Sequence, residues 1–343
     1  MENLVTVARQ VAILFVLMGF GVAMRKAKFF RDNAIDGIVN VLILVVTPCL
    51  IIDVFQRPFD PSMLKGLGCA FALAVLIHVV LIVLSKLVVR HRDEDVRRPL
   101  RLAAVFSNAG FMGIPLEQAI LGDAGVFYGI VYIVVFNLFM WSWGLCVMKN
   151  GKGRLGTPVP SRPPRLALTG RPSVAAPVAE AATVRASSLF NLHSVVNPGT
   201  VGLALGAPLF FCSVKLPDVI GVPIHHMANL NTPLAMIVIG YALAGAEFGK
   251  VLRTGAVYVT VFIRLVGCPL LALAALYPLR HSLDRNMMLA TVIAAAAPVA
   301  AMVSMFAAKY RRDVDVSVAV VSGTTLLSIL TMPAVIAFAM AVL

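Results

Sequence analysis

Apolar runs of about 20 residues recur along this chain, and short polar stretches separate them. A helix rises about 1.5 Å per residue, so a run of that length crosses about 30 Å of hydrocarbon. The alternating pattern of a membrane barrel is absent, and helices are the other structure that satisfies its own backbone in lipid. The pattern predicts an all-α polytopic membrane protein with ten transmembrane helices, numbered here as spans one to ten: 4–24, 34–55, 63–89, 99–121, 124–148, 193–213, 225–246, 251–278, 286–308 and 315–342.

A proline-rich stretch divides the ten spans into two groups of five. Residues 149–190 show no apolar period and combine glycine, serine and alanine with Pro158, Pro160, Pro163, Pro164, Pro172 and Pro177. Such a composition is typical of a flexible linker. The sequence therefore predicts a first five-helix repeat at 1–148, a linker at 149–190 and a second five-helix repeat at 191–343.

Composition agrees with a membrane protein. Of the 343 residues, 60% are hydrophobic and only 13% are charged, about half the charged share of a soluble domain. The formal charge of +13 does not indicate nucleic-acid binding, because the basic residues form short clusters at the ends of apolar runs. Lys and Arg mark the cytoplasmic side of a membrane in this way. The uneven distribution of Lys and Arg between the loops on the two sides predicts a protein of the cell (plasma or inner) membrane with both termini outside and the linker in the cytoplasm.

Matched features in the two halves indicate an internal duplication. Because five is odd, two five-span halves enter the membrane from opposite sides, as in the inverted repeats of many secondary transporters. Three pairs of features recur at a spacing close to 185 positions: Thr47-Pro48 with Thr232-Pro233, Pro115 with Pro298, and His78 with Arg264. The sequence thus predicts a 5+5 inverted repeat.

Span four contains residues that interrupt a helix. Gly110, Gly113 and Pro115 fall within six residues, and Ser107 and Asn108 stand just before them. Proline removes a backbone donor and glycine permits non-helical angles. Backbone groups freed in this way cannot remain bare in hydrocarbon, so they must face protein, water or solute. These five residues are predicted to form part of a substrate site.

Span nine contains the matching interruption at Pro298, after a run of four alanines, Ala294 to Ala297. If the two broken helices cross at mid-membrane, the positive N-terminal ends of their second halves point at one place. Such a place favours a small anion, especially a carboxylate. The alternative for each proline is a simple kink that is satisfied locally.

Other polar residues within the spans need an explanation. Arg264 in span eight either pairs with an anionic substrate or mobile helix, or binds backbone carbonyls or snorkels to the interface. His78 in span three either carries a proton or forms a neutral hydrogen bond between helices. Four further residues either line the transport path or hold helices together. They are Pro48, Asn137, Asn231 and Thr232. Asp53, Glu117 and Asp123 lie at span ends, so no acidic relay is visible at a membrane centre.

Several motifs resemble one known family. The stretch from Ser107 to Leu116 is similar to the span-four signature of the auxin efflux carrier family, which includes the plant PIN-formed proteins and bacterial relatives. Further similar stretches follow in order: Asn197 to Thr200, Arg264 to Pro269, Ala297-Pro298, Phe306 to Tyr310, and Ser328 to Pro333. The resemblance covers nearly the whole chain apart from the linker.

The resemblance implies a fold of the bile-acid-symporter type, in which broken spans four and nine cross beside a scaffold of spans one, two, six and seven. An elevator movement would then transport the solute. By motif, Asn108 and Pro115 would contact or frame the substrate, Asn137 would occupy the polar position of span five, and Pro298 would form the second crossover. Bacterial relatives are associated with small organic acids such as malonate or malate, and plant relatives with auxin. Val299 stands where plant relatives have a polar Gln, which argues against auxin itself.

Together these features predict a secondary transporter, an efflux carrier of small organic anions such as mono- or dicarboxylates. An anion channel or a non-enzymatic membrane sensor on the same fold is the alternative. No enzyme is expected, because HExxH, GxSxG and paired aspartates are absent from the spans, and neither a cofactor nor a metal is expected. The predicted partners are the organic anion and the lipid bilayer, without nucleic acid, while a homodimer stays open. The driving force also stays open between uniport and coupling to sodium or, through His78, to protons.

Overall fold

The computed structural model describes residues 2–29, 32–59, 61–149, 198–245 and 255–343. Nearly all of the predicted linker and the Asn197 that opens span six lie outside these ranges. Within them every regular element is helical, and one isolated antiparallel bridge joins Ser107 to Val299.

Eight α-helices make up the described part of the first half: α1 (Glu2–Lys26), α2 (Asp32–Val41), α3 (Thr47–Phe55), α4 (Pro61–Val88), α5 (Glu94–Val105), α6 (Ile114–Leu121), α7 (Asp123–Phe139) and α8 (Leu145–Lys149). Three π-helical turns join members of this series: Leu42–Val46, Ala109–Gly113 and Met140–Gly144. Helices therefore cover the five spans predicted for this half, with an interruption in span four.

Eight more α-helices are described in the second half: α9 (Pro198–Phe211), α10 (Asp218–Asn229), α11 (Asn231–Leu243), α12 (Gly255–Phe262), α13 (Cys268–Leu276), α14 (Arg285–Ala296), α15 (Met302–Lys309) and α16 (Val314–Val342). A π-turn at Ile263–Gly267 joins α12 to α13, and a short 3-10 turn, Tyr277–Leu279, follows α13. Span nine is interrupted between α14 and α15.

Five continuous helices in the described residues are long and apolar enough to cross a membrane: Gly37–Phe55, Met63–Val88, Asp123–Lys149, Gly255–Leu279 and Val314–Val342. Two shorter helices, Pro198–Phe211 and Arg285–Ala296, are also apolar. The chain is thus all-helical with several apolar helices of transmembrane length, as expected for a polytopic membrane protein.

Three of the four π-turns have a common cause. Each ends two residues before a proline, at Pro48, Pro115 and Pro269. Proline has no backbone N–H and its ring collides with the carbonyl four residues earlier. In each case the residue just before the proline donates its N–H to the carbonyl five residues back, so the π-turn widens the helix at that point. These prolines therefore continue a helix in widened form and do not end it.

Glycines bring two pairs of helices into close contact. In the packing of α1 on α11, a Cβ on Gly21 would overlap the carbonyl of Ile237, and a Cβ on Gly240 would overlap that of Met18. In the packing of α9 on α3, a Cβ on Gly202 would lie 2.9 Å from the Cα of Pro48. Small residues permit such an approach of helix backbones in lipid.

Aspartates begin three helices by accepting a backbone hydrogen bond at the N-terminus: Asp93 before α5, Asp284 before α14 and Asp313 before α16. Next to the first of these, Arg312 binds Asp95 at 2.7 Å and the carbonyl oxygen of Met148 at 2.7 Å. This buried contact ties the beginnings of α5 and α16 to the end of α8.

Candidate functional site

The interruptions of spans four and nine lie against each other. Extended residues 106–108 run antiparallel to residues 298–300, and the Asn108 N–H donates to the Pro298 carbonyl at 2.7 Å. In return the Ala300 N–H donates to the Phe106 carbonyl at 3.0 Å. This pair of hydrogen bonds satisfies backbone groups that two broken helices would otherwise leave bare in the core. The predicted meeting of the two broken helices is therefore observed.

The position of the first break differs from the prediction. The helix is interrupted at Phe106–Asn108, ahead of Gly110, Gly113 and Pro115, while Pro115 stands at the beginning of α6. At the crossing itself Pro298 lies opposite residues 106–108 and not opposite Pro115, and the matching of the two prolines as repeat positions stays a prediction. The physical reason is that the antiparallel bridge supplies new partners for the freed backbone, so no proline is required at the break.

Arg264 joins the ends of α5 and α14. Its guanidinium is fully buried and donates to the Val105 carbonyl at 3.0 Å, to the Ala295 carbonyl, and to the Cys268 sulfur at 2.9 Å. Val105 is the last residue of α5, and Ala295 lies in the last turn of α14. The C-terminal end of a helix is negative, so a cation stabilises it. Of the alternatives for Arg264, the structure shows the backbone-carbonyl partner.

The polar side chains of Ser107 and Asn108 lie in the extended segment of span four, and neither is among the hydrogen-bond partners of Arg264. The Asn108 side chain is 9% exposed, and no described group forms a hydrogen bond with its amide. The Ser107 hydroxyl is buried as well, next to the hydroxyl of Tyr132. Ala109 to Phe111 begin the helical half that follows, and N–H groups in a first turn have no acceptor within the helix. Gly110 within this turn is exposed.

His78 belongs to an aromatic cluster next to the crossing. Its buried ring stacks on Phe139 with centroids 5.3 Å apart and lies 5.1 Å from the ring of Tyr132. Nδ1 lies 2.8 Å from the Ala74 carbonyl, which only accepts, so Nδ1 is the donor and the bond stays within α4. Nε2 has no partner among the described residues. The expected hydrogen bond between helices is therefore not observed, and the proton-carrier hypothesis stays a prediction.

Asn231 and Thr232 line a separate pocket between α3, α6 and α10. Its empty volume is about 420 Å³, part of it open to solvent, and its polar lining comprises Asp53, Gln118, Asp123, His225, Asn229, Asn231 and Thr232. Asp53 accepts a hydrogen bond from His225 at 2.9 Å. Ser107 and Asn108 do not line this pocket. In the described residues no three His, Cys, Asp or Glu side chains are grouped as in a metal site.

The remaining predicted residues lie apart from the bridge. Asn137 donates to the Ile133 carbonyl of its own helix at 3.0 Å. Pro48 packs on Gly202 of α9. Gly113 lies closer to the crossing, since a Cβ there would be 3.6 Å from the Cα of Ala294 in α14.

Glu117 was not among the residues that the sequence predicts for the site. Placed at a span end by the hydropathy pattern, it is in fact fully buried in α6, and neither carboxyl oxygen has a hydrogen-bond partner in the described residues. Its carboxyl group lies against Gly129 of α7 and near Gly113. The available signal was an acidic residue two positions after the proline of an interrupted span, followed by glycines at positions 125 and 129.

Comparison with known proteins identifies the family. No curated protein matches this sequence. The family model described as membrane transport protein matches residues 6–336, which is nearly the whole chain. Together with the apolar helices, this match identifies an integral membrane protein. The chain belongs to the membrane transport protein family, the auxin efflux carrier family that its span-four motif indicates.

Proposed function

We propose that this protein is a secondary transporter of small organic anions, such as mono- or dicarboxylates, and that the substrate binds at the crossing of the two broken helices. The observation that supports this most strongly is the division of charge at the crossing. Arg264 compensates the negative ends of α5 and α14. The half that follows the break in span four begins after Asn108, and no described side chain caps its first N–H groups.

An anion is the ligand that fits this arrangement. The first N–H groups of a helix point outward and the helix dipole favours negative charge there. Asn108 can donate a hydrogen bond from its amide and Ser107 from its hydroxyl, and exposed Gly110 leaves room for a ligand close to the backbone. In this proposal Pro298 and Pro115 hold the two halves in place, and Asn137, Asn231 and Thr232 line the path to the site.

Packing of the outer helices supports a ten-span inverted repeat. The pair α1–α11 joins spans one and seven, and the pair α9–α3 joins spans six and two, which is the same contact with the halves exchanged. Gly21 mediates the first contact and Gly206, 185 positions later, mediates the second. Thr47 and Thr232 have this same spacing. An inverted repeat provides the two alternative arrangements that alternating access requires.

Two groups of helices support an elevator movement. The glycine-mediated pairs form a scaffold of α1, α3, α9 and α11. The crossing helices pack mainly on α4, α7, α12, α13 and α16, and they meet the scaffold where α6 packs on α1 and α11. We propose that the second group moves the anion past the first. With the linker in the cytoplasm and both termini outside, the pocket lined by Asn231 opens to the outer side of the cell membrane.

The test uses the full chain reconstituted in liposomes. Uptake of labelled mono- and dicarboxylates, including malonate and malate, is expected to saturate with concentration and to be lost in Asn108→Ala. Asn286→Ala is the matched control, because this amide lies at the beginning of α14 and the break lies beyond the end of that helix. The control is expected to transport like the wild type.

Two results would contradict the proposal. Linear flux without saturation would indicate an anion channel. The wild type and the Asn286→Ala control could also show no flux of any organic acid while folded and correctly inserted. That result would show that the protein does not transport organic anions.

A further inference from the structure

Glu117 is a buried acid that has no hydrogen-bond partner among the described residues. Its exposed fraction is 0%, and both carboxyl oxygens lack a hydrogen bond to any described residue. A Cβ added to Gly129 of α7 would overlap the carboxyl group, so the absence of a side chain there makes room for it. On its other side, a Cβ on Gly113 would lie 3.8 Å from Oε1. The carboxyl group therefore occupies the space that the missing side chain of Gly129 leaves, close to Gly113.

No described cation on the helices packed against α6 binds the Glu117 carboxyl group. The helices packed on α6 are α1, α7, α11 and α14. Their titratable and charged groups with described side chains are Arg9, Arg25, Lys26, Asp123, Tyr128, Tyr132, Tyr241 and Arg285. None of them binds the Glu117 oxygens; Arg285, for example, binds the Met340 carbonyl and Asp123 accepts from Gln118.

A proton is the ligand that suits this site. An ionised carboxylate in an apolar interior loses its hydration and normally becomes neutral unless it is paired. A hard metal cation needs several oxygen ligands, and in the described residues no three His, Cys, Asp or Glu side chains are grouped as in a metal site. A single proton neutralises the group without any additional ligand.

The segment that contains Glu117 is short and joined at both ends by irregular backbone. A π-turn precedes α6, and Gly122 follows it with φ of 65° and ψ of −157°, a conformation that essentially requires glycine. Ile114 and Gln118 of the same helix line the solvent-open pocket beside Asn231. Gln118 is the next residue along the helix. A rotation of α6 by about one residue, or about 100°, would therefore turn Glu117 toward the solvent-open pocket.

We propose that Glu117 is a proton-binding site that couples anion transport to proton movement, a role that rests on the proposed function. In the conformation described here the carboxyl group is protonated. When α6 turns toward the pocket, the O–H bond breaks, the proton passes to pocket water, and a carboxylate remains. In the opposite, inward-facing arrangement of the transporter the carboxylate takes up a proton from cytoplasmic water, and α6 then returns against Gly129, so one proton crosses the membrane in each cycle.

The experiment compares the full-length wild type with Glu117→Gln, which keeps the shape of the neutral acid. The first measurement is infrared difference spectroscopy of the protein in lipid on changing pH. A carboxylic C=O band is expected in the wild type and is expected to be lost in Glu117→Gln. Glu94→Gln is the matched control, because Glu94 is exposed and pairs with Arg97 and Arg98, so this change is expected to leave the band intact.

The second measurement follows labelled malonate and malate together with a pH-sensitive dye inside the liposomes. Glu117→Gln is expected to retain exchange of labelled for unlabelled substrate and to lose the proton movement that accompanies net transport. A band that persists in Glu117→Gln, or proton movement equal to that of the wild type, would overturn the proposal. Substrate exchange without proton movement in the wild type would overturn it as well, while leaving the proposed function intact.

Discussion

The Nη1 group of Arg264 donates a hydrogen bond to the Val105 carbonyl oxygen at 3.0 Å, between residues 159 positions apart. The same guanidinium also binds Ala295 at the end of α14. The planar guanidinium has several donors and thus holds two helix ends together. The compact ammonium group of a lysine, on its flexible stem, would do so less well. The ends of α5 and α14 are therefore joined through Arg264 at the crossing.

Removing this cation is expected to destabilise the protein. Arg264→Met leaves two buried carbonyls without a donor, and each costs about 1–3 kcal/mol. We expect the free energy of unfolding in detergent, measured by denaturant titration, to fall by about 3 kcal/mol, with a smaller fall for Arg264→Lys. Arg285→Met, which removes an exposed bond to Met340, serves as control and is expected to change stability by less than about 0.5 kcal/mol. Equal losses in the two variants would contradict a special role for Arg264.

The stability of the protein is expected to depend on a hydrogen bond between Val299 in the extended segment and Thr324 in α16. Its hydroxyl accepts the Val299 N–H at 3.1 Å, so Thr324→Val removes the acceptor at nearly constant volume. The loss is expected to be about 1 kcal/mol, measured as a lower thermal midpoint in detergent. Thr324→Ser keeps the hydroxyl and is expected to lose clearly less; if the serine variant unfolds at the same temperature as the valine variant, the hydrogen bond is not the cause.

Close contact between α1 and α11 is expected to tolerate no side chain at Gly21. Gly21→Ala places a methyl group against the backbone of α11, and overpacking of this kind costs about 1–3 kcal/mol. Gly19 lies in the same helix with nothing within 4 Å of an added Cβ, so Gly19→Ala is expected to be neutral or slightly stabilising. Thermal unfolding of both variants checks this, and similar midpoints would argue against the packing of α1 on α11.

An acidic residue at the crossing is expected to repel the substrate. Asn108→Asp preserves size but adds a negative charge beside the first turn of the following half-helix. Uptake of organic anions is therefore expected to fall further than in Asn108→Ala, with a higher KM as the main effect. Asn286→Asp adds the same charge at the distant beginning of α14 and is the control. Unchanged uptake in Asn108→Asp would show that the anion binds elsewhere.

Filling the space beside Gly129 is expected to displace the Glu117 carboxyl group. In Gly129→Ala the new methyl group overlaps the carboxyl group, which sits at the flexible end of its side chain and has to move. Stability is expected to fall, and Glu117→Ala is expected to suppress the loss in the double variant, giving a coupling of about 0.5–3 kcal/mol for groups in contact. Gly323→Ala, with nothing within 4 Å, is the control. Additive effects would mean that the two residues do not touch.

The local sequence was sufficient for the helical elements. Within the described residues, helices lie where hydropathy predicts apolar spans, because the length of an apolar run is read from neighbouring residues alone. The motif around Asn108 likewise identified the family and one half of the crossing. It did not locate the break, since the backbone at Phe106 leaves the helix through pairing with Ala300, a residue remote in the chain.

The sequence by itself determined an all-helical membrane protein of the transporter family, two interrupted helices, and polar residues beside one interruption. Tertiary structure alone decided which groups these polar residues meet. Arg264 could have bound substrate or backbone, and packing placed two helix ends around it. Glu117 was assigned to a span end, and packing enclosed it beside Gly129 without a partner. Charge and hydropathy are properties of each residue, whereas burial and pairing arise only when distant segments come together.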